Sequence, residues 1–205
     1  MAHLSSTVIQ DIEAVCEAGN ASMAYFYFDF GDANKQSSHG LVTSLLTQLS
    51  VSLDSRCKIL SNLYVAHHMG RKQPSTSTLA KCLKEMLTTS DRHPIYLIID
   101  GLDKSPNASG FPSPREGVLE LLKELVPISN FHICVTSRPE FDIRLTIEPL
   151  ATHQVCLHDE TSQKEDIVDY IKSVVYSDSE QVMKRWKTDV KDTTVKKLSD
   201  GANGA

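Results

Sequence analysis

Apolar residues at 4, 8, 9, 12, 15 and 16 recur at the spacing of one helical face and stop at Gly19-Asn20, which predicts an amphipathic helix over residues 3–18. The pattern then changes. Residues 23–30 are apolar almost throughout and aromatic at 25, 26, 27 and 28, which predicts a buried strand with Asp29 as a solvated end. Leu41, Leu45, Leu46, Leu49 and Leu53 mark a helix from Ser37 or Ser38, and Ile59, Leu60, Leu63 and Tyr64 a shorter one after it. Gly70 to Pro74 breaks the periodicity. Thr76 or Ser77 is the expected cap of a further helix whose face is Leu79, Cys82, Leu83, Met86 and Leu87.

Two short apolar runs end in polar chemistry. Tyr96-Leu97-Ile98-Ile99 leads into Asp100-Gly101-Leu102-Asp103, and Phe131-His132-Ile133-Cys134-Val135-Thr136 leads into Ser137-Arg138-Pro139-Glu140. Runs of this kind read as strands buried on both faces, and an acid at the carboxyl end of such a strand stands where open α/β sheets bind ligands. Between them, Ser113-Pro114-Arg115-Glu116 has a capping Ser, a Pro at the first helical position and a Glu three residues after the cap. The helix it starts buries Val118, Leu119, Leu122, Leu125 and Val126. A short helix over residues 141–145, a last strand over 153–157 and a second cap, Ser162-x-x-Glu165, complete the pattern. Strands alternating with helices predict an α/β fold whose parallel sheet is covered on both faces.

The aromatic strand, the Leu-rich helix, Asp100-Gly101-Leu102-Asp103, Thr136-Ser137-Arg138-Pro139-Glu140 and the single Trp186 stand in the order shown by the STAND class of P-loop NTPases. The chain resembles the NACHT domains of fungal signalling proteins, most closely the nephrocystin-three-like N-terminal variety often found upstream of ankyrin repeats. The resemblance implies a three-layer P-loop NTPase-like parallel sheet over residues 1–160 and the start of a helical lid over 161–205. It implies a nucleotide-dependent signalling switch using ATP or GTP with Mg²⁺. In that scheme Asp100 is the Walker B acid that holds Mg²⁺ through water, Asp103 is the catalytic group that orients or deprotonates the attacking water, and Ser137 with Arg138 forms sensor 1. The family follows its second acid with Glu, where this chain has Lys104.

The departure is at the front. A P-loop needs G-x-x-x-x-G-K-[ST], whose amides cradle phosphate and whose Lys neutralises it, and these 205 residues contain no such segment. The opening residues resemble the helix after that loop, so the expectation is a fragment truncated just after Walker A and short of downstream modules. The missing strand would lie beside the sensor 1 strand, leaving sheet edges unpaired. Such a fragment is expected to bind nucleotide poorly and to lack hydrolysis. The competing readings are a non-catalytic interaction scaffold and a degenerate remnant.

Composition narrows the partners. A formal charge of −5, with 40% apolar and 23% charged residues, gives no general attraction to nucleic acid or anionic membrane. Other proteins, including copies of the NACHT core, are the expected partners. No apolar window approaches a membrane span and no apolar signal core opens the chain, so a cytoplasmic location is expected. The five cysteines lack a C-x-x-C pair, and Cys82, Cys134 and Cys156 are expected as small buried residues. Among the eight histidines, neither His67-His68 nor the group His153, Cys156 and His158 has metal-site spacing.

Overall fold

A computed structural model describes residues 2–89, 93–107, 112–156, 161–177 and 186–202. The chain divides into two compact units, Met1–Ala151 and Thr152–Ala205. In the first, helix α1 (Ala2–Glu17) precedes strand β1 (Ser22–Tyr27), and helices α2 (Ser38–Ser50), α3 (Asp54–Ala66) and α4 (Thr76–Thr88) lead to strand β2 (Ile95–Asp100). Helix α5 (Pro114–Leu125), strand β3 (Phe131–Val135) and helix α6 (Phe141–Ile147) follow. The second unit contains α7 (Thr161–Val175) and α8 (Thr188–Ala202).

The three strands form one parallel sheet in the order β1-β2-β3, with Ile95 opposite both Ser22 and Phe131. Period-two alternation divides the side chains between two faces. Ala24, Phe26 and Phe28 of the first strand segment, with Leu97 and Ile99 of β2, enter a core shared with Leu41, Leu45 and Leu49 of α2, Leu83 and Met86 of α4, and Leu122 and Leu125 of α5. The opposite face carries Ile98 and Asp100, and α1 lies against it with Ile9 and Ser5 buried. Helices therefore cover both faces, as the unbroken apolar run of β2 requires. At the outer end of the sheet, the fully buried Arg56 of α3 donates through Nη1 to Ser22 Oγ and Ser52 Oγ, both at 2.8 Å.

Several boundaries differ from the sequence pattern. The aromatic strand stops at Tyr27, although the Phe28 amide still donates to the Asp100 carbonyl at 3.0 Å. Beyond it Asp29 folds the chain back, its Oδ1 accepting from the Gly31 amide at 2.9 Å. The cap of α4 is Ser75, whose hydroxyl accepts from the Thr78 amide, so Thr76 and Ser77 already belong to the helix. Residues 153–156 form no strand and are exposed; Leu157 and His158 lie outside the described residues. Alternation alone gives a strand nothing to pair with. Cys82 is buried as expected, whereas Cys134 and Cys156 are exposed. The side chains of the expected Ser162–Glu165 cap lie outside the described set, though α7 begins there.

The two edges of the sheet are treated differently. Ser22 and Phe28 direct their amides to β2, so Met23, Tyr25 and Tyr27 turn theirs outward. There the Gln48 side-chain amide acts as a short substitute strand, accepting from the Tyr25 N–H at 3.0 Å and donating to its carbonyl at 2.8 Å. On β3, Asn130 and Thr136 face β2, so Phe131, Ile133 and Val135 present their amides to the open edge. This polarity sets an expected outcome. Cys134→Pro removes an inward ladder bond and, relative to Cys134→Ala, should be clearly destabilising. Val135→Pro, compared with Val135→Ala, should cost clearly less, because its N–H faces outward. Urea unfolding of the four variants checks the order.

Candidate functional site

The carboxyl ends of β2 and β3 lie side by side, and there the two polar motifs meet. Asp100 is 4% exposed, and its Oδ1 accepts from Ser5 Oγ at 2.5 Å and Thr136 Oγ1 at 2.7 Å. No described donor reaches its Oδ2. Thr136 Oγ1 also accepts from the Gly101 amide at 3.1 Å, while the Thr136 amide donates to the Ile99 carbonyl and the Thr136 carbonyl accepts from Leu102. A carboxylate taken from water is thus held by two hydroxyls, one from α1 and one from β3, which offsets its desolvation.

Gly101 makes the turn. Its φ is +68°, in the left-handed region, and a β-carbon there would stand 3.0 Å from Lys104 Cε and 3.2 Å from Lys104 Nζ. Lys104, expected as a charge-altering replacement for Glu, lies half-buried across this glycine. The tight turn Leu102–Lys104 then brings Asp103 inward to 7% exposure. Its Oδ1 accepts from the Arg138 amide at 3.2 Å, and its Oδ2 stands 3.7 Å from Arg138 Nε. The Arg138 side chain is 75% exposed and retains freedom to turn toward solvent. Ser137 does not join the acids; its hydroxyl donates to the Arg138 carbonyl at 2.8 Å.

The neighbouring loop after β1 is stitched to the same rim. Ser105 Oγ donates to the Gln36 carbonyl at 2.7 Å, and Gln36 Nε2 donates to the Phe30 carbonyl at 2.6 Å. Gly40 in the first turn of α2 admits the backbone of that loop: a β-carbon there would lie 1.7 Å from the Asn34 carbonyl oxygen.

A family profile described as nephrocystin 3, N-terminal, matches residues 2–138, ending on Arg138 itself. The chain belongs to the nephrocystin 3 N-terminal family. The match spans α1, all three strands and every rim residue described above. No curated protein and no solved structure matches the chain. Membership of the nephrocystin 3 N-terminal family therefore rests on sequence, and the α/β architecture on the chain's own coordinates.

Asp103 and Arg138 are in contact, Asp100 stands at the same pair of strand ends held by Ser5 and Thr136, and Ser137 stays apart from the acids. Three participants escaped that reasoning. Ser5 falls one helical turn before Ile9, on the buried stripe of α1, where a hydroxyl among apolar positions is the available signal. Thr136 directly follows the apolar run of β3, a hydroxyl at a strand end beside an acid-bearing strand. Arg115 stands inside the capping motif and is 4% exposed. No local pattern distinguishes it.

Among the described residues no group of three or more His, Cys, Asp or Glu forms a metal cluster. The Cys82 thiol is pushed up by burial and by Glu85, so it is not an activated nucleophile. Two outcomes follow from the geometry. Ser5→Ala leaves Asp100 with one side-chain donor and should destabilise the protein by about 1–3 kcal/mol. Gly101→Ala forces an L-residue into the left-handed region against Lys104 and should cost about 1–2 kcal/mol or more. Urea titrations with unchanged midpoints would contradict both.

Proposed function

We propose that this rim is the magnesium and sensor side of a nucleotide site, in a NACHT-type P-loop NTPase-like switch of the STAND class. The observation that carries the reading is the placement of the buried Asp100 carboxylate beside Thr136–Arg138 on adjacent parallel strand ends, the edge at which open α/β sheets take ligands. Membership of the nephrocystin 3 N-terminal family supports it.

The donor set suits magnesium, a hard cation that keeps its waters and takes carboxylate oxygen. Asp100 would hold the hydrated ion through Oδ2, because Ser5 and Thr136 both donate to Oδ1. When bound, Mg²⁺ neutralises charge on the phosphates of ATP or GTP. Asp103 orients or deprotonates the attacking water, and Arg138 swings from Asp103 to read the terminal phosphate. Ser137 marks the same strand end without a bond to either acid. These are positioning and electrostatic roles, which carry most of phosphoryl transfer. Signalling in the cytoplasm through other proteins or further copies of the chain belongs to this reading.

The 205 residues do not include the glycine-rich phosphate cradle, so by themselves they should bind Mg-ATP or Mg-GTP no tighter than about millimolar, roughly −4 kcal/mol. Isothermal titration of this protein checks that; a micromolar constant overturns it. A fusion placing a strand and G-x-x-x-x-G-K-[ST] ahead of His3 should gain Mg²⁺-dependent binding that Asp100→Ala abolishes. A second reading, a non-catalytic scaffold, is favoured by one feature: Asp103 and Arg138 already satisfy each other. A folded fusion that ignores nucleotide would establish the scaffold and remove the switch.

A further inference from the structure

Arg115 is the most fully engaged charge in the first unit. It lies at the second position of α5, 4% exposed, and spreads its guanidinium over acceptors from two other segments. Nε donates to the Ser105 carbonyl at 2.8 Å and Nη2 to the Asp103 carbonyl at 2.6 Å. Nη1 donates to Glu140 Oε2 at 2.5 Å and lies 3.3 Å from both oxygens of Asp142. Its backbone amide donates to the Pro106 carbonyl at 3.1 Å. The planar fork of arginine suits this work, since one head group reaches carbonyls on one side and carboxylates on the other.

The two sides are unequal. The carbonyl half is buried and faces the turn that carries Asp103. The carboxylate half is open to solvent, for the side chains of Glu140 and Asp142 are 44% and 30% exposed. Helix α6 depends heavily on that half. Of its seven residues only Ile143 is buried, while Phe141 and Leu145 are 81% and 67% exposed. Ile143, the half-buried Ile147 and one ion-pair cluster hold a helix too short to be stable alone.

Between Asp103 and α6 stands the pair already described, Asp103 with the Arg138 amide and guanidinium, two residues before Glu140. The acidic turn therefore reaches α6 by two routes, through Arg115 and through Arg138. We propose that Arg115 is a positioning residue that clamps the turn after β2 to α6, so that a change at Asp103 or Arg138 is passed on as docking or release of α6. Its importance for signalling rests on the nucleotide reading above, but the clamp itself does not.

Hydrogen exchange followed by mass spectrometry on the 205-residue protein, without nucleotide, separates the two. In the double variant Glu140→Gln/Asp142→Asn, amides of α6 should exchange about tenfold faster while those of β1 and β2 keep the parental rate. Arg115→Lys keeps the charge without the fork; it should leave α6 near its parental rate and speed exchange in residues 102–105. Asp103→Asn, which alters no side chain of α6, should also raise α6 exchange, by about threefold or more. Unchanged α6 exchange in the double variant overturns the clamp, and unchanged exchange in Asp103→Asn overturns the relay. A rise spread evenly over the whole first unit also overturns the proposal, because it marks general destabilisation. If Arg115→Lys fails to fold, the double variant still decides, since Glu140 and Asp142 are partly exposed to solvent. Failure of nucleotide titration leaves these outcomes untouched.

Discussion

Strand β2 is the member on which the first unit depends, because it is paired on both edges and buried on both faces. Ile95, Leu97, Ile98, Ile99 and Asp100 are buried and only Tyr96 is half-buried, so the register of β2 against β1 and β3 is specified by burial. A one-residue shift would turn Leu97 and Ile99 away from the α2–α4–α5 core. It would also carry Asp100 from the hydroxyls of Ser5 and Thr136 into apolar surroundings, where a carboxylate is costly. The apolar run and the acid at its end therefore enforce the same register.

Burial of the acids has a second consequence. Asp100 and Asp103 are close in sequence yet differ in partners: hydroxyls for the first, an arginine and its amide for the second. Gly101 makes that division possible, since its left-handed turn redirects the chain within one residue. Arg115 then closes the arrangement from a third element. An arginine buried this deeply is tolerated only because carbonyls and carboxylates take up its donors, and removal of a partner leaves charge stranded. Polar order at the rim thus follows from the same close packing that forms the apolar core.

The two edges show how a small parallel sheet limits unwanted pairing. Gln48 occupies the outward backbone groups of Tyr25 and so blunts β1. β3 has neither a charged side chain nor a proline to do the same. Among the described residues no strand pairs with the outer side of β3.

Much of this was legible in the chain itself. Helical periodicity placed α1, α4 and α5 within a residue or two and the start of α2, although Leu53, read on the α2 face, lies past its end at Ser50 and caps α3; the capping box of Ser113 and Glu116 is present as read, and the apolar runs located β2 and β3. These features depend on neighbours three or four residues away, or on runs of one character, and such local information survives in a linear string. The acids at the strand ends were legible for the same reason. The strand expected at 153–157 was not formed over its described residues, because a strand exists only where a partner supplies the other half of its hydrogen bonds. Ser5, Thr136 and Arg115 come from positions 5, 136 and 115 to meet Asp100 and Asp103, and no spacing rule connects them. Sequence alone determined where the principal helices and the three paired strands lie and which strand ends bear charge. Only the tertiary structure decided which hydroxyls hold Asp100 and that Arg115 is buried among carbonyls and carboxylates, because each depends on contacts between residues far apart along the chain.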